Sequence, residues 1–365
     1  MRARLRWLFA LCVAVVFLAG CAPSAPWRQE SFVFGTRVEL LITGVPEAQA
    51  RVAGNQVLAE FDRLHRTYHA WQPSELSSLN AAIAAGKPHD VSPELAAYIH
   101  EAQTMAAASD YLFDPGIGRL IALWGFHTDE IVPHLPDEAV LKALLAQRPS
   151  IADLHMEGQR VTSRNKAVAL DFGGYLKGVA LDRAAAILRQ AGIHDALINI
   201  GGNVMALGTK NGTPWRVGIQ HPRPAQVGGA ALASLELRDG EAIGTSGDYH
   251  RFFEIDGRRY CHLLDPRTGR PADGTQAVTI LIAPGALAGM RSDALSKPLF
   301  IAGQDWLRQA QKLGVAAALK VGADGTVSAT PLMRARLKME KLERRKPASP
   351  ELVIEQAYPH DRLLE

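Results

Sequence analysis

The stretch from Gly244 to Pro271, GTSGDYHRFFEIDGRRYCHLLDPRTGRP, places apolar, β-rich runs on both sides of Asp256-Gly257. That dipeptide accepts the left-handed conformations of a tight turn, so Arg251–Ile255 and Arg258–Leu263 are predicted to form a hairpin. The chain must reverse there. The reversal delivers His262 to the loop Asp265-Pro266-Arg267-Thr268-Gly269, which Pro and Gly stiffen, with a carboxylate three residues after the imidazole. Such a pair can serve as acid and base on one bound group, and a solvated polar turn would carry the same residues.

Around this hairpin the pattern predicts strands at Phe32–Ile42, Ala167–Leu170, Ala196–Ile200, Trp215–Gln220, Ala230–Leu237, Ala277–Ile282 and Val315–Leu319. Helical periodicity covers Pro46–Arg66, Pro93–Ala108, Pro136–Gln147, Tyr175–Ala191, Ala286–Ala302 and Asp305–Leu313. Strands and helices mix without strict alternation, which implies a single compact α+β domain over residues 32–333.

The ends read differently. Arg2, Arg4 and Arg6 precede the apolar run Trp7–Phe17 and then Leu18-Ala19-Gly20-Cys21, the pattern of a bacterial lipoprotein signal. The run is shorter than the roughly 20 residues of a spanning helix. Residues 1–20 are therefore expected to be a signal peptide and 21–31 a tether anchored in the membrane through lipidated Cys21, with the protein exported to the periplasm or cell exterior. Cys12 would leave with the signal, and Cys261 would then have no intrachain partner. The formal charge of +3 equals the contribution of the three signal arginines, so the mature chain has no broad basic footprint for nucleic acid. Residues 334–365 read as a charged tail: Arg334–Lys346 is strongly basic and Glu351–Glu365 more acidic.

At the corner after Leu170, Asp171 and two glycines precede a helix whose first turns hold Lys177. Glycines there let backbone approach a ligand, and a helix start favours phosphate. A corner chosen for packing, with Lys177 in water, has the same sequence. Asp293 and Lys297 share a helix face, as an ordinary i,i+4 ion pair would. Tyr68, His69 and Trp71 form a ring cluster suited to a flavin or adenine, or to a core.

Ordered blocks from about residue 32 to about 330 resemble the FAD:protein FMN transferases, the ApbE-type family. They are Phe34-Gly35-Thr36, Ser74–Asn80, Phe113-Asp114-Pro115, Leu170–Gly178, Asn199-Ile200-Gly201-Gly202, Ser246–Tyr249, His262–Gly269 and Asp293–Ser296. Agreement of several blocks in order is far more specific than one motif. The resemblance implies an enzyme that moves FMN from FAD to a Thr or Ser hydroxyl of an acceptor redox protein. It implies FAD contacts at Asp171 and Lys177 and an aromatic contact in the region of Trp71; Phe34, equally a plain strand residue, and Phe113, Asp114, His262 and Leu263 of the matching blocks are the further candidate contacts. Neutral imidazole is available near pH 7, so His262 is the expected general base, with Asp265 orienting it or a nearby group. The resemblance also implies magnesium held by the Gly174 carbonyl and Asp293. The family pattern there is Asp-x-x-x-Thr, whereas this chain has Lys297, and an ammonium cannot ligate a metal. Ser296 or waters could complete the shell, or Lys297 could itself neutralise the pyrophosphate. Hydrolysis of FAD, or carriage of FAD without chemistry, are the alternative activities. No clear Asp-x-(Ser/Thr)-(Gly/Ala)-Ala-Thr acceptor motif occurs in the chain itself, so self-modification is not expected.

Overall fold

The computed structural model describes residues 25–128, 130–223, 231–339 and 352–354; the signal, Cys21 and most of the C-terminal tail lie outside them. Among the described residues no helix is long and apolar enough to cross a membrane. Nine strands of the described residues lie side by side in chain order: β1 (Trp27–Val33), β2 (Thr36–Thr43), β3 (Asp195–Ile200), β4 (Asn203–Leu207), β5 (Ala242–Gly247), β6 (Thr275–Ile282), β7 (Ala317–Gly322), β8 (Val327–Ala329) and β9 (Leu352–Ile354). Every pairing is antiparallel except β8 with β9.

Period-two alternation splits this sheet between two cores. Val38, Leu40 and Ile42 of β2, with Val278 and Ile280 of β6, face one core together with α1 (Glu47–Thr67), α2 (Leu176–Gln190) and α3 (Ala288–Ile301). Ala277 and Leu281 of β6 and Leu319 and Val321 of β7 face the other, covered by the small sheet of Trp215–Gln220, Ala231–Leu237 and Leu337–Met339. β6 is consequently buried along its whole length.

The Asp256-Gly257 hairpin forms as expected, with Phe252–Ile255 against Arg258–Cys261 and both turn residues left-handed, at φ 51° and 73°. Its rings Phe253 and Tyr260 stack on Trp124 and form part of a third apolar cluster. Four expectations are corrected. The single strand at Phe32–Ile42 is two, because Phe34 and Gly35 (φ 57° and 68°) reverse the chain between β1 and β2. Residues 27–31, assigned to the tether, are thus half of a hairpin inside the domain. Ala167–Leu170 makes only a lone bridge through Ala169, since the Asn80 side chain takes both the N–H (2.7 Å) and carbonyl (2.8 Å) of Leu170. Residues 334–339 are not tail: Leu337–Met339 pairs with Ala231–Leu237, and Arg336 grips buried Glu241 with two bonds (2.9 and 2.7 Å).

The position of α3 is set by missing side chains. A Cβ on Gly178 of α2 would lie 2.3 Å from the Gly289 carbonyl oxygen, and one on Gly289 would lie 2.5 Å from that of Gly178. On the other side, a Cβ on Gly244 of β5 would lie 2.0 Å from the Ser292 carbonyl. Asp182 of α2 completes the fit by accepting from the Gly289 and Met290 N–H groups (2.8 and 2.9 Å) at the start of α3. Burial raises this carboxyl to about 6, outweighing those two bonds.

Gly178→Ala and Gly244→Ala should each therefore lower stability by about 1–3 kcal/mol, the usual cost of overpacking. Equilibrium urea unfolding checks this; midpoints equal to that of the parent chain would contradict the close crossing.

Candidate active site

A cleft of about 450 Å³ opens where the Phe34-Gly35 turn, the residues after α1, the Phe113-Asp114 turn, the start of α2, β5 and the loop after the Asp256-Gly257 hairpin converge. The close crossing of α2 and α3 brings Asp293 against the first turn of α2, where its Oδ2 accepts the Gly178 N–H at 3.0 Å. A helix start favours a carboxylate at that place. Asp293 is only 1% exposed, and two ammoniums flank it: Lys297 Nζ lies 2.7 Å from Oδ1 and Lys177 Nζ 3.7 Å from Oδ2. Burial alone would raise the Asp293 carboxyl, but the charges of Lys177 and Lys297 hold it below its ordinary value. Burial lowers the Lys297 ammonium to about 8 against the pull of Asp293, so the pair is ionic at neutral pH.

Lys297 Nζ also donates to the Asp293 carbonyl at 2.7 Å, and its stem runs beside Gly174, whose added Cβ would stand 3.4 Å from Lys297 Cε. Lys177 donates to the Gly173 carbonyl at 3.1 Å. Gly174, Lys177, Asp293 and Lys297 are thus brought together in the cleft.

His262 lines the same cleft, with Nδ1 3.1 Å from the Arg251 carbonyl oxygen. A carbonyl only accepts, so Nδ1 carries the hydrogen and Nε2 keeps its lone pair. Burial, reinforced by the charges of Arg251, Lys177 and Lys297, lowers His262 to about 3. The imidazole is neutral at any physiological pH. Phe34, Trp71, Phe113 and Leu263 supply apolar wall, and Trp71 Nε1 donates to Asp171 Oδ2 at 3.1 Å while Oδ1 accepts from Gly173 N at 2.7 Å.

Other expected residues have different employment. Asp265 does not bond His262: its carboxylate takes the Arg267 N–H (2.9 Å) and pairs with the Arg267 guanidinium (2.7 Å), as an Asp before a Pro turn readily does. Ser296, expected as a metal ligand, is fully buried; its hydroxyl meets Ser246 Oγ and the Asp293 carbonyl, each at 2.8 Å. Asp114 borders the cleft, yet its carboxylate accepts from Gly116 N (2.8 Å) and Ile151 N (2.9 Å) and so fixes a turn.

Magnesium takes several oxygen donors in near-octahedral geometry. Here the Lys297 ammonium sits on one oxygen of Asp293, the Gly178 N–H on the other, and the Ser296 hydroxyl is used elsewhere. These residues do not fit a magnesium ion.

Thr36, His65, Thr245, His250 and Arg251 also line the cleft and were missed as site residues. His250 follows directly on the Ser-Gly-Asp-Tyr block, so its neighbourhood was legible, and His65 lies one helical turn before His69, with ring centres 5.1 Å apart. Burial and the charge of Lys177 lower the His250 imidazole as well.

A model described as the ApbE family matches residues 34–319. A FAD:protein FMN transferase of Rhodobacter capsulatus is 45% identical over 341 residues, which are 92% of this chain and 64% of that relative, so the chain spans somewhat less than two thirds of its length. One from Klebsiella pneumoniae (strain 342) is 28% identical over 348 residues, 91% of this chain and 97% of the relative. Among solved structures, the ApbE protein of Thermotoga maritima superposes with a TM-score of 0.77 at 29% identity, covering 85% of this chain and 99% of its own. Flavin transferase ApbE from Vibrio cholerae gives 0.73 at 25% identity, covering 86% and 100%. With seven of the eight sequence blocks contributing to one cleft of a fold shared with solved relatives, the chain belongs to the ApbE family.

Proposed function

We propose that this chain transfers the FMN half of FAD to a Thr or Ser hydroxyl of an acceptor protein and releases AMP. The observation that carries this reading is a neutral imidazole with an unused nitrogen, His262, in the same cleft as the Lys177–Asp293–Lys297 cluster. Proton acceptor and anion-binding charges are what a hydroxyl attack on a pyrophosphate needs. The acceptor O–H gives its proton to His262 Nε2 as its oxygen bonds the phosphorus on the riboflavin side. The bond from that phosphorus to the bridging oxygen breaks, and the electron pair leaves with AMP. Lys177 and Lys297 offset the charge that builds on the bridge, so positioning and electrostatics carry most of the rate. Phe34, Trp71 and Phe113 offer flat apolar surface to the flavin or adenine, and Asp171 an acceptor to its polar edge.

The relatives named above bear the same activity in their names, which supports the reading. The leader-like residues 1–21 support an enzyme exported and lipid-anchored at Cys21, with an acceptor redox protein facing the same compartment.

His262→Gln should lower AMP release in the presence of acceptor by roughly 100-fold, the scale of a lost general base, and change FAD affinity by less than about twofold. Chromatography of AMP and flavin fluorescence quenching measure the two. Equal loss of both would make His262 a ligand contact instead.

Because the folded imidazole titrates near 3, kcat/KM should show no acid limb at the ordinary histidine value of 6.5. The same shift makes the unfolded state bind a proton that the native state refuses, so His262 lowers stability as pH falls from 6.5 towards 3. His262→Gln should flatten the stability profile in that window. An activity limb at 6.5 that vanishes in the variant would contradict the neutral imidazole.

A further inference from the structure

We propose that Lys297 is a built-in cation for pyrophosphate binding, so that this enzyme engages FAD without a divalent metal; this rests on the function proposed above. Two ammoniums surround one carboxylate at the floor of the cleft, with Lys297 Nζ 2.7 Å from Asp293 Oδ1 and Lys177 Nζ 3.7 Å from Oδ2. The pair of Asp293 with Lys297 is balanced by itself. Lys177 leaves a surplus positive charge, and an unbalanced charge in a partly desolvated cleft calls for an anion. The side chains of Lys177 and Lys297 keep 24% and 13% of their surface exposed, whereas Asp293 keeps 2%, so the cluster presents ammonium rather than carboxylate to a ligand.

The placement of Lys297 is fixed from three sides. Its ammonium donates to both the carbonyl and the carboxylate of Asp293, and its stem lies against Gly174. An ammonium held this way is preorganised, as a bound metal ion would be, and needs no ordering when the ligand arrives. It also occupies the oxygen of Asp293 that a metal would have to take. Asp293 thus acts as the clamp that aims a lysine, a role different from that of a metal ligand. A lysine delivers a point charge with rotatable donors, so recognition depends on the total phosphate charge more than on octahedral geometry.

The test uses the full chain, stripped with EDTA, and its Lys297→Thr and Lys297→Met variants, with folding verified by circular dichroism. Flavin fluorescence quenching gives the affinity for FAD and for riboflavin, which lacks the pyrophosphate, in EDTA and in magnesium. Manganese titration followed by electron paramagnetic resonance reports metal binding directly. The parent chain should bind FAD equally well, within about twofold, with EDTA or magnesium, and should bind no manganese at the cleft. Lys297→Thr should lose roughly tenfold or more in FAD affinity in EDTA, the scale of a lost charge-assisted bond, and regain it with magnesium while acquiring a manganese site. Lys297→Met should lose the same affinity without metal rescue, and riboflavin affinity should be alike in all three. Magnesium-dependent FAD binding by the parent chain, or manganese bound with Lys297 in place, overturns the proposal. Should the parent chain bind no flavin under any condition, the proposed function fails and takes the pyrophosphate role with it, whereas manganese binding by Lys297→Thr but not by the parent would then show only that Lys297 excludes a metal from Asp293.

Discussion

The site depends on how closely two helices approach. α2 and α3 cross at Gly178 and Gly289, where either glycine's missing Cβ would strike the other's carbonyl, and Gly244 admits α3 equally closely on the sheet side. Interiors are packed to crystal-like density, so such a crossing has one depth rather than a range. That depth sets the Gly178 N–H on Asp293 and places Lys177 and Lys297 either side of the same carboxylate. Moving α3 outward by one methyl group would separate the charges gathered around Asp293.

A buried ion pair is a poor source of stability, since desolvation consumes most of the Coulomb gain. The cluster around Asp293 is better understood as fold stability given up for function: the large two-sided sheet core supplies stability, and the cleft carries charge the core would not tolerate. His262 follows the same logic. Its burial costs stability in acid, and in return the imidazole is neutral, with its tautomer set by the Arg251 carbonyl.

Turns built from turn-forming residues were legible in the sequence; a turn imposed on an unfavourable residue and the partners of side chains were not. The Asp256-Gly257 hairpin could be read because both left-handed residues are turn formers. The Phe34-Gly35 turn could not, because a phenylalanine at φ 57° is a conformation its side chain disfavours and only the surrounding hairpin imposes. Ala167–Leu170 has strand composition, but its partner is the side chain of Asn80, ninety residues earlier. The ordered blocks single out Phe34, Asp171, Lys177, His262 and Asp293, and these line one cleft together with Trp71 and Lys297. Orientation was not legible. Spacing put Asp265 near His262 and Ser296 near Asp293, and the fold turns one carboxylate to Arg267 and the other residue's hydroxyl to Ser246.

The central claim, that the hydroxyl of another protein attacks FAD in this cleft, is tested most directly by intact-mass measurement of an acceptor carrying the Asp-x-(Ser/Thr)-(Gly/Ala)-Ala-Thr motif after incubation with the full chain and FAD. The acceptor should gain the mass of FMN less one water, in step with the AMP released, and should gain nothing when its final Thr is replaced by Val. An unmodified acceptor with free FMN and AMP in solution would make the enzyme a hydrolase, and an unmodified acceptor with intact FAD bound would make the protein a carrier.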